Sequence, residues 1–178
     1  MKFADNKKIY LRRAAFVVLI IVTAVFQNTK GAVPSINGVH AFLLVPLVVA
    51  IGMFEKNIAA LAFGTFAGIM WDSMSISTDG YFTVILGCVC FFSSVFIVFI
   101  MRNNILSSFI LSLISIFICN TLYWVLFFLI KGYDSAFYVY FRYYFSSVIY
   151  TCVFSFVYYG LVKLICELTA PEKKRITY

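Results

Sequence analysis

The sequence predicts an all-α integral membrane protein, with six transmembrane helices in one bundle and both termini in the cytoplasm. Composition is the first reason: of the 178 residues, 63% are hydrophobic and only 12% are charged, and the mean hydropathy is +1.00. Such values lie outside the range of soluble domains. Since a helix needs roughly 20 residues to cross a bilayer, six apolar runs use most of the chain. We therefore predict a single membrane domain over residues 1–178.

The basic residues are the second reason. Lys and Arg collect in the short cytoplasmic connections of membrane proteins. With the N-terminus inside, eleven basic residues lie on the cytoplasmic side and three, Lys30, Lys131 and Arg142, lie outside. The net charge of +7 then sets topology and contacts anionic lipid headgroups, and nucleic acid is not expected as a partner. The predicted helices are 11–27, 36–54, 57–75, 80–101, 105–130 and 140–166.

The first two predicted helices are short. The first follows a basic start, as a secretory signal does, but no clear small-x-small cleavage site follows it. We therefore expect a retained membrane helix. The second run must include Ile36 to reach across the bilayer.

The third helix carries the most informative pattern in the chain. Ala60, Gly64, Gly68 and Asp72 recur every four residues, which places them on one helix face. A face this small lets another helix approach closely in lipid. Two uses stay open, packing within the bundle or an interface with a partner. Asp72 is expected near the outer boundary, and two roles stay open for it. It either meets water and caps the turn, or makes an ion pair or hydrogen bond with the outer end of another helix, where Arg142 at the start of the sixth helix is the candidate partner.

The last two helices carry small polar stripes. The stripe of the fifth helix is Ser108, Ser112, Ser115 and Cys119, and that of the sixth is Tyr143, Ser147, Thr151, Ser155 and Tyr158. Such stripes either line a cavity or let helices pack and share hydrogen bonds, and packing is favoured. Asn120 should face the bundle interior, because an unpaired amide is costly in lipid.

No catalytic arrangement is expected. The single histidine, His40, lies at the outer start of the second run without a Gly-x-Ser-x-Gly context. The five cysteines lie in or at the ends of apolar runs and are interpreted as packing residues. Metal-ligand spacing does not occur either. The sequence therefore predicts a protein that is not an enzyme and that holds no cofactor or metal.

Gly64, Gly68, Asp72 and Gly80 together resemble the signature of the rod shape-determining protein MreD family. The resemblance extends to length, to the six apolar runs and to the basic ends of the chain. It implies a non-catalytic scaffold in the bacterial inner membrane that helps to organise lateral peptidoglycan synthesis and cell shape. The implied partners are the single-pass protein MreC and, indirectly, MreB, a RodA-type glycosyltransferase and its transpeptidase.

A second resemblance leads to another class of function. The architecture of the MreD family is similar to that of the substrate-binding S components of energy-coupling factor vitamin transporters. Those components bind a small molecule near the outer side. In that alternative, a pocket beneath the outer loops would use His40, Asp72, Asn120 and Arg142.

Overall fold

The computed structural model describes residues 2–29, 42–74, 80–99, 103–126 and 145–169. Within these ranges the regular structure is entirely helical, which confirms the all-α class. The helices are α1 (Lys2–Asn28), α2 (Leu44–Phe54), α3 (Asn57–Met74), α4 (Tyr81–Phe99), α5 (Ile105–Trp124) and α6 (Phe145–Thr169).

Three of the described helices are long and apolar enough to cross a membrane. They are α1 from Lys8 onward, α4 and α5. The chain is therefore a membrane protein, while a bundle of six spans stays a prediction. Helix α2 is apolar but has 11 residues, and the earlier part of the predicted second helix, residues 36–41, lies outside the described residues.

The helix ends differ from the predicted ones where polar residues continue a helix. Helix α1 begins at Lys2 instead of residue 11, because Lys and Arg are good helix formers and a basic segment does not stop a helix. Helix α6 extends to Thr169, three residues beyond the predicted end at 166.

Successive helices run in opposite directions. At one end, which we call the Glu55 end, Arg12 near the start of α1 contacts Glu55 just after α2. At the same end, Tyr159, late in α6, donates a hydrogen bond to Asn103 just before α5.

Contacts at the opposite end, which we call the Asp72 end, complete this alternation. The N–H of Leu44 at the start of α2 donates to Gln27 Oε1 at the end of α1, over 3.1 Å. The N–H of Phe42 donates to Thr151 Oγ1, early in α6, also over 3.1 Å. The described helices therefore alternate in direction along the chain, as in an up-and-down bundle.

Helix α2 lies at the centre of the bundle. Every residue from Leu44 to Met53 is buried, and α2 contacts each of the other five helices. A helix that is apolar all round suits only such a position. Phe16 and Ile20 of α1, Leu86 of α4 and Val162 of α6 are fully buried in the same core.

Helices α3 and α4 come into backbone contact through the small face of α3. A Cβ atom added at Gly64 would lie 2.5 Å from the Leu86 carbonyl oxygen and 2.6 Å from Cys90 Cβ. One added at Gly68 would lie 2.5 Å from the Phe82 carbonyl oxygen and would also overlap Thr83 Cα. Ala60, on the same face, is fully buried. The four-residue pattern therefore packs against α4 of the same chain.

Helix α4 also packs closely against α2. A Cβ atom at Gly52 would lie 2.6 Å from the Cys90 carbonyl oxygen. The Cys90 thiol in turn donates to the Val48 carbonyl oxygen over 3.3 Å. The backbone of α4 thus packs closely against glycines of two helices, α3 and α2.

We expect Gly68→Ala and Gly64→Ala each to lower the free energy of unfolding by about 1 to 3 kcal/mol. The added methyl group would overlap backbone atoms of α4, which can give way only if the whole helix shifts. Thermal unfolding in detergent measures this loss.

Gly160→Ala is the matched control, because Gly160 lies in α6 and no described atom is within 4 Å of its added Cβ. This variant should be unchanged or slightly more stable, since Ala favours helices by up to about 1 kcal/mol over Gly. Equal losses for Gly68→Ala and Gly160→Ala would show that crowding against α4 is not the cause.

Candidate functional site

Asp72 in the last turn of α3 caps the start of α4. Its carboxylate accepts hydrogen bonds from the Thr83 N–H at 2.8 Å, the Thr83 hydroxyl at 2.6 Å and the Phe82 N–H at 3.3 Å. These N–H groups belong to the first turn of α4, where they have no partner within the helix. A negative charge at this position also interacts favourably with the helix dipole. Asp72 therefore supplies, from the neighbouring helix, the cap that Gly80 cannot.

Gly80 is needed for its backbone conformation. Its φ angle is +82°, in the left-handed region that residues with a Cβ atom rarely adopt. Since no described atom lies within 4 Å of its added Cβ, crowding plays no part. Gly80 and Asp72 thus fix the start of α4 together, while Gly64 and Gly68 let it run along α3.

The cap is one of the two roles predicted for Asp72. The other, an ion pair with Arg142, stays a prediction because Arg142 lies outside the described residues, as does His40.

An aromatic cluster surrounds this cap. The Trp71 and Phe82 rings lie 4.7 Å apart between centroids, Phe42 stacks on Trp71 at 5.4 Å, and Tyr123 of α5 stacks on Phe82 at 6.0 Å. These four residues join α3, α4 and α5 with the segment before α2, since Phe42 lies two residues ahead of Leu44. Their sequence signal is the aromatic residues on both sides of the turn: Trp71 directly precedes Asp72, and Tyr81 and Phe82 follow Gly80.

Asn120 lies buried in α5 near the same end. Asn120 is 4% exposed, and its Nδ2 has no hydrogen-bond partner within the described part of the chain. The carbonyl of the preceding residue, Cys119, accepts a hydrogen bond from the Tyr81 hydroxyl over 2.8 Å. This bond ties the Asn120 turn of α5 to the start of α4.

The polar stripes of α5 and α6 meet each other. The Ser155 hydroxyl donates to Ser112 Oγ over 2.9 Å, and both residues are buried. Ser108 and Ser115 are buried as well. Among the described residues, these stripes therefore pack one helix against the other.

The Glu55 end holds a buried ion pair that the sequence analysis missed. The Glu55 side chain is 1% exposed. Arg12 donates to its Oε1 from Nη2 at 2.6 Å and from Nε at 3.0 Å. Arg13 Nη2 lies 3.8 Å from Oε2. The sequence did carry a signal for this pair, because Glu55 is the single acid between the apolar helices α2 and α3. A buried carboxylate in a membrane protein needs a cation as its partner.

Hydrogen bonds extend from Glu55 to the other helices. The Ser94 hydroxyl of α4 lies 2.9 Å from both the Glu55 carbonyl oxygen and Asn57 Oδ1, so it donates to one or the other. Asn103 Nδ2 donates to the Met53 carbonyl oxygen over 3.4 Å. Polar groups thus connect α1, α2, α3 and α4 with the start of α5 at this end.

Neither end brings together the groups of a recognisable catalytic centre within the described ranges. No group of three His, Cys, Asp or Glu side chains there could hold a metal ion. Both sites order helix ends through charge-assisted hydrogen bonds. Comparison with known proteins adds no relative, since no family model, no curated protein and no solved structure matches the chain.

We expect Asp72→Ala to lower the free energy of unfolding by about 1 to 2 kcal/mol, the usual cost of losing a helix cap. Ser73→Ala is the matched control, because Ser73 is exposed and its hydroxyl donates to Ile69 in its own helix. Thermal unfolding in detergent should separate the two variants. Equal stability of Asp72→Ala and wild type would contradict the capping role.

Arg12→Gln should lower the free energy of unfolding by about 1.5 to 3 kcal/mol, the usual contribution of hydrogen bonds to charged groups. Lys163→Gln is the comparison, because the Lys163–Glu167 pair of α6 is 3.8 Å long and both side chains are more than half exposed. Its loss should stay below about 0.5 kcal/mol. Similar losses for both variants would argue against a special role of the buried pair.

Proposed function

We propose that this protein is a non-catalytic membrane scaffold of the bacterial cell-elongation machinery, of the kind that MreD provides. Its partners would be an MreC-like single-pass protein and, indirectly, MreB, a RodA-type glycosyltransferase and its transpeptidase. The inner membrane would be its location. The observation that carries the proposal is that Gly64, Gly68, Asp72 and Gly80, the residues that resemble the MreD signature, act together in one helical hairpin.

This use of the motif suits a scaffold. All four residues shape α3 and α4, and none of them is placed for chemistry on a substrate. A scaffold needs helices held in fixed positions, so that their outward faces and ends present a constant surface to other membrane proteins. The close contact of α3 with α4 provides such rigidity, since van der Waals packing and hydrogen bonds, not hydrophobicity, hold helices together in lipid.

The partner must bind elsewhere than the small face of α3. The backbone of α4 already fills the space in front of Gly64 and Gly68, so a second helix cannot lie there. Outward faces are available instead: Val18 and Val22 of α1, for example, are 59% and 57% exposed. We therefore place the proposed MreC contact outside the α3–α4 interface.

The vitamin-binding S component remains the second candidate. It is favoured by the buried Asn120 amide, whose Nδ2 has no partner in the described residues. This donor lies in the turn of α5 that Tyr81 ties to the aromatic cluster. A flat ligand with an acceptor oxygen would suit such surroundings.

Depletion of the protein in its rod-shaped host should round or widen the cells and disturb wall insertion, because an elongation scaffold positions wall synthesis. Fluorescent labelling of new peptidoglycan and cell dimensions measure this effect. Wild type and Gly160→Ala should restore the shape. Gly68→Leu should fail and should also be scarce in the membrane, because its defect is in folding.

Reconstitution with the MreC protein of the same organism tests the partner directly, and a stable complex is expected. A clean deletion that leaves shape and wall insertion normal, but creates a vitamin requirement, would overturn the scaffold. A vitamin retained by the purified protein would support the S component.

A further inference from the structure

We propose that the Glu55 end binds the phosphate group of an anionic phospholipid, with Arg13 as the main contact and Lys8 and Lys56 beside it. This inference does not depend on the scaffold function. It follows from the unequal contacts that the Glu55 carboxylate makes with Arg12 and Arg13, and from the position of these arginines just before the uncharged part of α1.

The two arginines have different tasks. Arg12 donates twice to Glu55 Oε1 and is 27% exposed in its side chain. Arg13 reaches Oε2 only at 3.8 Å, which is beyond hydrogen-bond range, and its side chain is 44% exposed. Glu55 therefore accepts hydrogen bonds from Arg12, whereas it attracts Arg13 by charge alone and leaves the N–H donors of Arg13 unused. Within the described ranges the Arg13 guanidinium makes no hydrogen bond, so its planar set of N–H groups can serve another acceptor.

Positive charge is in excess around this pair. Lys8 precedes Arg12 by one helical turn, and Lys56 directly follows Glu55; both are exposed. Four cations, Lys8, Arg12, Arg13 and Lys56, and one carboxylate sum to a charge of +3. The carboxylate is buried, whereas Lys8, Arg13 and Lys56 are exposed. Glu167 of α6 is an exposed carboxylate at the same end, but Lys163 lies 3.8 Å from it, so this pair adds no net charge. The exposed groups directly beside Glu55 are therefore cations in excess.

The position of Arg13 matches the headgroup layer. Residues 14–28 of α1 carry no charge and rise about 22 Å, enough to cross most of the hydrocarbon core. Arg13 is the charged residue directly before this run. Lys56 likewise precedes the uncharged residues 57–71 of α3. From these uncharged runs we expect both side chains at the level of the lipid phosphates.

The surrounding surface favours a lipid over free phosphate. Ile21, about two turns beyond Arg13 and about 80° from it around α1, is 41% exposed. Ile58, two residues after Lys56, is 83% exposed. Acyl chains can lie along these side chains while the phosphate accepts from Arg13. The guanidinium fork suits a phosphodiester, which presents two oxygens in one plane.

The experiment measures lipid retention by native mass spectrometry of the full chain, purified in detergent. Phosphatidylglycerol and phosphatidylcholine with identical acyl chains are offered in equal amounts. Wild type should retain phosphatidylglycerol preferentially. Arg13→Gln should bind it about fivefold more weakly, because one basic residue near an anionic surface contributes roughly 1 kcal/mol.

The controls separate the lipid site from net charge and from stability. Lys163→Gln removes the same charge at the same end and should change the preference less than about twofold, since its pair is exposed. Arg12→Gln should lower the melting temperature with or without lipid. Arg13→Gln should keep the wild-type melting temperature without lipid and lose the increase that phosphatidylglycerol gives. Should Arg13→Gln fail to fold, Lys56→Gln leaves the ion pair intact and should also weaken retention.

Two results would overturn the proposal. One is an undiminished phosphatidylglycerol preference in both Arg13→Gln and Lys56→Gln. The other is displacement of the lipid by inorganic phosphate, with an equal rise in melting temperature, because the site would then take a free anion and not a phospholipid.

Discussion

The backbone contact between α3 and α4 is the constraint on which the rest of the bundle depends. It is possible because Gly64 and Gly68 have no side chain where Leu86, Phe82 and Thr83 approach. Once the two helices lie this close, Asp72 reaches the first turn of α4 and caps it. The same helix α4 then meets Gly52, so the central helix α2 is held against the hairpin.

Polar interactions complete the fold at its two ends. Lipid does not drive apolar helices together, so packing and hydrogen bonds must determine their arrangement. At the Asp72 end, a carboxylate binds backbone N–H groups within an aromatic cluster. At the Glu55 end, a buried carboxylate binds an arginine of α1. The two acids differ in partner because one lies beside a helix start and the other beside a basic segment.

This division bears on both proposals. Because the motif packs and caps the α3–α4 pair, the proposed scaffold function must use other surfaces, which the motif holds in place. The excess charge around Arg13 is such a surface, because Glu55 binds Arg12 and leaves its neighbour exposed.

The sequence alone determined what depends on local spacing. Hydropathy predicted a helical membrane protein, and a four-residue repeat placed Ala60, Gly64, Gly68 and Asp72 on one face. The sequence left open which helix packs on that face, since the repeat itself is the same whether α4 or a partner helix covers it. Gly52 has no small neighbour at four-residue spacing, and Arg12 and Glu55 are 43 positions apart. Such contacts arise only when helices distant in sequence pack together, so only the tertiary structure decided them.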